Sequence, residues 1–460
     1  MRMESRAQSK KFLLILALFV LSRIYVLPFG FGLDSDAWSV AAVAKKVAHN
    51  WGYYEASRLP GYPIPEHFFA LSFKIFGVGF LQANFVAFVF GFLALIAMWQ
   101  LSKALKIEPF WPAFALAFHP IILISSTSTM DYIFGACFLI WALYFYIKER
   151  FLISGAMFGL ACGSRITIAI GIVAFLLAMI KERKNFSAIL EWSAALAIIS
   201  ALSFAPVFST YGGRFFSYSH TKINFFAAGY RLLHEFFGVP FSIGFVIALL
   251  IKKFRGERPA ESSKKFLLWA LFVALWIPYL RFPLDPFYLS SALCAGILLL
   301  ASYFPKRSFR TLAILIFVSS LISLFPIDKY QYREHDSIKP KILEAGPALS
   351  DAIERATIQK QALEFASNVE NLQGKSVYVL GDLFFNVSWD VLKKDCWESV
   401  PFAHQHKIFV STMPKKFLQK LKGLGWRIYY YDGIFVDYQT RRAYDYSLKE
   451  LGAKPLKSRD

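Results

Sequence analysis

A polytopic α-helical membrane protein is the fold class this sequence predicts, and three observations carry it. Apolar runs about as long as a bilayer is thick recur between residues 12 and 327. Only 18% of the 460 residues are charged and 56% are hydrophobic, whereas about a quarter of a soluble domain is charged. The bases gather in alternate short loops between the runs.

Eleven crossings fit the runs, near 12–28, 78–102, 109–125, 131–147, 152–164, 166–180, 187–208, 236–252, 266–282, 286–304 and 311–327. The fifth and sixth are short, and a broken hairpin turning at Gly163-Ser164-Arg165 fits them equally. Arg2, Arg6, Lys10 and Lys11 precede the first run, as in a signal peptide. No small-residue cleavage site follows, so it reads as an uncleaved helix.

Charge sets the orientation. With the N-terminus in the cytoplasm, the cytoplasmic loops hold Lys103, Lys106, Lys148, Arg150, Lys181, Arg183, Lys184, the Lys252–Lys265 cluster, Lys306, Arg307 and Arg310. The positive-inside rule asks for that arrangement. It also accounts for the net charge of +20 without nucleic acid, so no nucleic-acid partner is expected. A multi-pass cell-membrane protein with an extracytoplasmic C-terminus follows. A reporter fused after Asp460 is expected outside, and one within Arg255–Ser263 inside; cytoplasmic labelling at the C-terminus contradicts the orientation.

Two outer segments are longer than connectors need, 29–74 and 209–235. Within the first, Ala37–His49 is amphipathic and is expected to lie along the membrane surface. Two domains result: a transmembrane part, 1–327, with the long first outer loop 29–74, and a soluble part, 328–460. In the latter, Ala348–Leu372 and Pro414–Leu424 read as helices. Ser376–Leu380, Lys407–Val410, Arg427–Tyr431 and Ile434–Tyr438 read as strands of a small α/β domain. Asn386-Val387-Ser388 matches a glycosylation acceptor, a triplet common by chance. Cys137, Cys162, Cys294 and Cys396 show no CxxC spacing, and His404 and His406 form only a chance pair, so no zinc site is expected.

The chemistry concentrates in the first outer loop. Gly32-Leu33-Asp34-Ser35-Asp36-Ala37-Trp38 places two carboxylates where the chain leaves the membrane. They read either as loop acids, with Asp36 as helix N-cap, or as a base whose pKa the apolar surroundings raise. Arg58-Leu59-Pro60-Gly61-Tyr62-Pro63-Ile64-Pro65-Glu66 is a rigid, non-helical corner, structural in itself. Its Arg58 suits a phosphate, because guanidinium forks match phosphate oxygens. Asp131, Arg165, Arg281 and Asp285 are isolated charges near outer helix ends. Such charges either snorkel to the interface or serve function, and Arg281 with Asp285 could form a pair.

Asp36-Ala37-Trp38-Ser39-Val40-Ala41-Ala42-Val43-Ala44, followed by Arg58-Leu59-Pro60-Gly61-Tyr62-Pro63, resembles the first outer loop of the GT-C membrane glycosyltransferases. The nearest branch is that of the protein O-mannosyltransferases and aminoarabinose transferases. Asp131, the stretch Gly159-Leu160-Ala161-Cys162-Gly163-Ser164-Arg165 and the segment Arg281–Leu289 are fainter echoes of the same pattern. The branch carries Asp-Glu where Ala37 follows Asp36, so Asp34 and Asp36 both remain candidates for the base.

The resemblance implies a hexosyl- or pentosyltransferase of the cell envelope. Its donor would be a polyprenyl- or dolichyl-phosphate-linked sugar, with membrane lipid around its tail. Asp36, helped by Asp34, would deprotonate an unidentified glycan, lipid or protein acceptor, with inversion. Arg58, Arg165 and Arg281, and with lower weight Arg214 and Arg231, would hold the donor phosphate. Tyr62, Glu66, Asp131 and Asp285 are further site candidates. The chemistry requires no cofactor or metal, although two acids could hold a divalent ion. A secondary transporter would be expected to show paired halves, and none is evident. A membrane-anchored binding protein acting through 328–460 would leave the outer loops unexplained.

Overall fold

A computed structural model describes residues 2–216, 225–255, 263–281, 283, 285–326, 341–370, 376–380, 391–392, 407–411, 415–430, 452 and 454–455. Each of the eleven apolar runs contains at least one helix. The chain begins with α1 (Arg2–Ile24), and the first outer loop then forms α2 (Ser35–His49) and α3 (Pro63–Phe76). The bundle continues through α4 (Phe80–Ala104), α5 (Phe110–Phe118), α6 (Pro120–Ser125), α7 (Tyr132–Ile147), α8 (Phe151–Ser164), α9 (Ile172–Lys181) and α10 (Phe186–Tyr211). After α11 (Phe225–Arg231) come α12 (Val239–Arg255), α13 (Ser263–Arg281), α14 (Ala292–Tyr303) and α15 (Lys306–Leu321). Among the described residues, three helical stretches are long and apolar enough to cross a bilayer by themselves: Phe80–Ala104, Phe186–Phe215 and Pro286–Tyr303. The helix pair Ala228–Phe237 and Val239–Ile251 is apolar enough together but bent by 82°, the geometry of a broken span or a re-entrant loop.

The tightest packing is between α8 and α10. Gly155, Gly159 and Gly163 recur every four residues, one stripe of α8, and let the two backbones meet. A Cβ on these glycines would lie 2.2 Å from the Trp192 carbonyl, 2.8 Å from Ile199 Cβ and 2.6 Å from Ser203 Cβ respectively. That close approach fixes the end of α8, and with it Arg165.

Four expectations need correction. The run at 109–125 is one crossing broken in two, because Pro120 has no amide hydrogen to continue α5; His119 caps α6 instead. The last helix spans 306–321, not 311–327, and gives way at Ile322 to an extended strand. The amphipathic stretch, expected along the membrane surface, is largely covered by the protein itself. Trp38, Val40, Ala41, Val43, Ala44 and Val47 are buried, and α2 packs on α3. The cap of α2 is Asp34, not Asp36: its Oδ1 accepts from the Asp36 amide at 3.0 Å.

Beyond the bundle, β1 (Ile322–Leu324) pairs antiparallel with β2 (Leu343–Ala345), which leads into α16 (Pro347–Glu370). At Gly346 a Cβ would meet the Ile322 amide at 2.5 Å, so the strand return needs glycine. A parallel sheet follows in the order β4–β3–β5–β6, formed by β3 (Ser376–Leu380), β4 (Lys407–Ser411), β5 (Arg427–Tyr430) and β6 (Lys454–Pro455). The helix α17 (Lys415–Gly423) connects β4 and β5. The expected strand Ile434–Tyr438, the Asn386 triplet, Cys396, His404 and His406 lie outside the described residues.

Candidate active site at the first outer loop

Four segments far apart in sequence meet here. The first outer loop brings Asp36 and Arg58, the start of α7 brings Asp131, the end of α8 brings Arg165, and the turn before α14 brings Asp285. Asp36 Oδ2 faces Arg58 Nε at 3.3 Å, and Arg58 Nη2 donates to Asp131 Oδ1 at 2.7 Å. Arg165 Nη1 donates to Asp131 Oδ2 at 2.5 Å. The result is a chain of alternating charge, Asp36–Arg58–Asp131–Arg165, open to solvent at Asp36 and closed at the fully buried Asp131. Alternation is what makes such burial tolerable, since an unpaired charge there would be far costlier.

Aromatic rings wall the cations. Arg58 lies over Tyr62 at 4.3 Å, and Arg165 over Tyr132 at 4.2 Å and Tyr288 at 4.3 Å. Asp285 accepts from the Tyr132 hydroxyl, and its Oδ1 takes the Phe287 amide at 3.0 Å, capping the 3-10 turn Pro286–Ser291. Asp285 thus supports Tyr132 behind Arg165.

Asp36 is the tuned group. Burial pushes its carboxyl up to about 6; Arg58 opposes this, while Asp34, Asp131 and Asp285 push the same way. With Asp34 taking the cap, the Asp36 carboxylate stays available, 38% exposed. Arg58 offers less than a full fork, because Nε and Nη2 are committed to acids. Its Nη1 is buried and has no hydrogen-bond partner among the described residues.

Glu66 does something different. Fully buried, it accepts from the Tyr54 hydroxyl at 2.5 Å, from the Ser57 amide and hydroxyl at 2.9 and 2.6 Å, and from the Tyr62 amide at 3.3 Å. Burial raises its pKa while the Ser57, Tyr54 and Tyr62 donors oppose. Glu66 ties both ends of the Pro-rich corner and so holds Arg58 and Tyr62 in place. Arg281 is exposed on the last turn of α13, outside the charge chain. Arg214 is also exposed, and Arg231 pairs with Glu235 at 3.0 Å.

Asp34 Oδ1 serves as a cap, and both Asp131 oxygens face guanidinium groups. Among the described residues, no cluster of three His, Cys, Asp or Glu side chains could hold a metal.

Between α12, α13 and α14 lies an apolar cavity of about 610 Å³. Phe236, Phe241, Trp269, Trp276 and Tyr303 line it, as do Leu293 and Gly296, within about two turns of Tyr288. Sequence reasoning missed Tyr132, Tyr288 and this cavity. The adjacency of Tyr132 to Asp131, and of Tyr288 to Asp285, was the available signal.

Comparison with known proteins finds one family model and two similar solved structures. Residues 60–209 match the family model of the dolichyl-phosphate-mannose-protein mannosyltransferases, a stretch that includes Tyr62, Glu66, Asp131 and Arg165. The crystal structure of ArnT from Cupriavidus metallidurans in the apo state is similar, with a TM-score of 0.55 at 11% identity over 87% of this chain and 86% of that one. The structure of that ArnT bound to undecaprenyl phosphate gives 0.56 at 10% identity, over 89% and 87%. No curated protein matches in sequence. The chain shares its overall fold with these two ArnT structures.

Proposed function

We propose that this protein is an inverting glycosyltransferase that moves a sugar from a polyprenyl- or dolichyl-phosphate donor to an acceptor outside the cytoplasm. The observation that carries the reading is the Asp36–Arg58–Asp131–Arg165 chain, which sets one part-exposed carboxylate beside one buried guanidinium nitrogen without a hydrogen-bond partner among the described residues. The match over 60–209 and the similarity to an ArnT that binds undecaprenyl phosphate support it.

In the reaction, the acceptor oxygen attacks the anomeric carbon while Asp36 takes its proton. The bond from that carbon to the phosphate oxygen breaks, and its electron pair leaves with the lipid phosphate. A base with a pKa of about 6 is mostly ionised at neutral pH yet basic enough to accept a proton. Arg58 Nη1 is the donor for the developing phosphate charge, and Arg165 adds positive field from behind Asp131. The apolar cavity beside α14 takes part of the lipid chain. The C-terminal part, on the same side as the first outer loop, completes the extracytoplasmic surface.

Arg58→Ala tests the donor half of this reading. Removing a charge-assisted hydrogen bond to phosphate is worth about 1.5–3 kcal/mol, or roughly a 10–100-fold rise in Kd. Binding of a fluorescent short-chain polyprenyl phosphate to the detergent-purified protein reads it. An unchanged Kd removes Arg58 from the phosphate site.

A further inference from the structure

Arg355 lies in the C-terminal part, on α16, and is completely buried. All three of its guanidinium nitrogens are used. Nε donates to the Phe29 carbonyl at 3.1 Å. Nη2 donates to the carbonyls of Phe29 at 2.7 Å, Gly30 at 3.1 Å and Thr127 at 2.6 Å. Nη1 reaches the Thr127 hydroxyl at 3.2 Å and Asp351 at 3.4 Å. Gln359, one turn on, accepts from the Gly30 amide at 3.0 Å.

The partners belong to two loops. Phe29 and Gly30 leave α1 toward Asp34 and Asp36, and Thr127 leaves α6 toward Asp131. Buried Asn84 strengthens the same join, donating to the Leu27 and Gly30 carbonyls at 2.9 and 2.8 Å and accepting from the Thr129 hydroxyl at 3.0 Å. The Thr129 amide adds a bond to the Phe31 carbonyl at 2.7 Å. Arg58 spans from Asp36 to Asp131, so the separation of these two loops sets both of its ion pairs. A buried cation held mostly by neutral carbonyls is a costly way to anchor a helix, and an apolar side chain would anchor it more cheaply. What the guanidinium adds is a rigid fork that reaches two loops at once.

We propose that Arg355 is a positioning residue: from the C-terminal part it fixes the spacing of the loops that carry Asp36 and Asp131, and so the alignment of base and phosphate donor. The consequence for catalysis rests on the glycosyltransfer reading; the consequence for the loops does not. Displacement of catalytic groups by about 1 Å can cost roughly 10²-fold in rate. A looser Arg58–Asp36 contact also weakens the largest influence that lowers the Asp36 pKa, so the acid limb of the pH profile moves upward.

The test compares full-length wild type, Arg355→Gln, Arg355→Lys and Asp36→Asn. Amide hydrogen exchange of 27–38 and 125–132 is read first, then transfer from a panel of polyprenyl-phosphate mannose, glucose and aminoarabinose donors. In both Arg355 variants exchange in both loops is expected to quicken. Per folded molecule, kcat is expected to fall roughly 10–100-fold with donor KM little changed, and the acid limb to rise above about 6. Lysine keeps the charge but not the fork, so it is not expected to rescue. Unaltered exchange in both loops overturns the proposal, as does a loss confined to the yield of folded protein with kcat and acid limb unmoved. If wild type and Asp36→Asn behave alike on the donors while exchange quickens, the glycosyltransfer reading fails and the clamp on the loops stands.

Discussion

Asp36→Asn is expected to lower sugar transfer by about 10²–10⁴-fold, the usual contribution of a positioned general base. The amide keeps the size of the side chain but cannot take the acceptor's proton. Wild-type activity is expected to rise with pH through about 6, as Asp36 loses its proton, and then level off. Stability is expected to move differently. The folded state raises the Asp36 pKa from 3.8 to about 6, so it binds the proton more tightly than the unfolded chain does. Ionising Asp36 therefore costs stability as pH rises across that window. A neutral amide removes the cost, and above pH 6 the variant should melt no lower than wild type. Asp34→Asn should cost less activity, because an asparagine still caps α2. A melting temperature well below wild type in Asp36→Asn would make its lost activity a folding effect.

Asp131→Asn is expected to damage folding and activity together. Asp131 is wholly buried and neutralises two guanidinium groups, of which Arg165 is almost as buried. Removing one partner of such a cluster costs about 3–5 kcal/mol, because the remaining charges stay buried without their counter-ion. Arg58 then keeps Asp36 as its acid, and the guanidinium left to hold the phosphate loses its fixed position. A thermal melt in detergent beside the transfer assay reads both. A melt like that of wild type would mean that Asp131 is not the neutralising centre described here.

The two aspartates also show what the sequence could reveal. Asp34 and Asp36 sit two residues apart before a helix, and either could cap it. Only the observed start of the helix at Ser35 assigns the cap to Asp34 and leaves Asp36 for the site. Asp131 and Arg165 were visible as charges near the membrane, because such charges stand out against apolar runs. Their partnership through Arg58 was not visible, since it depends on where α7 and α8 end relative to the first outer loop. The apolar runs themselves were legible because bilayer thickness dictates their length. The interior breaks at Pro120 and Gly238 were harder, as a short apolar helix and half of a broken one look alike.

Arg355 was the least legible of all. The buried stripe of α16 is Ala348, Asp351, Arg355, Ile358, Ala362, Phe365 and Val369, spaced by three or four residues. An apolar reading of that helix skips its two charged members and sends them to solvent. Only the carbonyls that receive Arg355 explain why a cation belongs on the buried face.

Sugar transfer from a lipid-phosphate donor must release the lipid phosphate. Purified wild-type protein, given a panel of polyprenyl-phosphate sugars and an extract of extracytoplasmic glycans, lipids and proteins, is expected to release free polyprenyl phosphate in step with sugar transferred, as read by mass spectrometry. The double variant Asp34→Asn with Asp36→Asn is expected to release almost none. Equal release by wild type and double variant, at equal amounts of folded protein, would contradict the assignment of this loop as the catalytic centre.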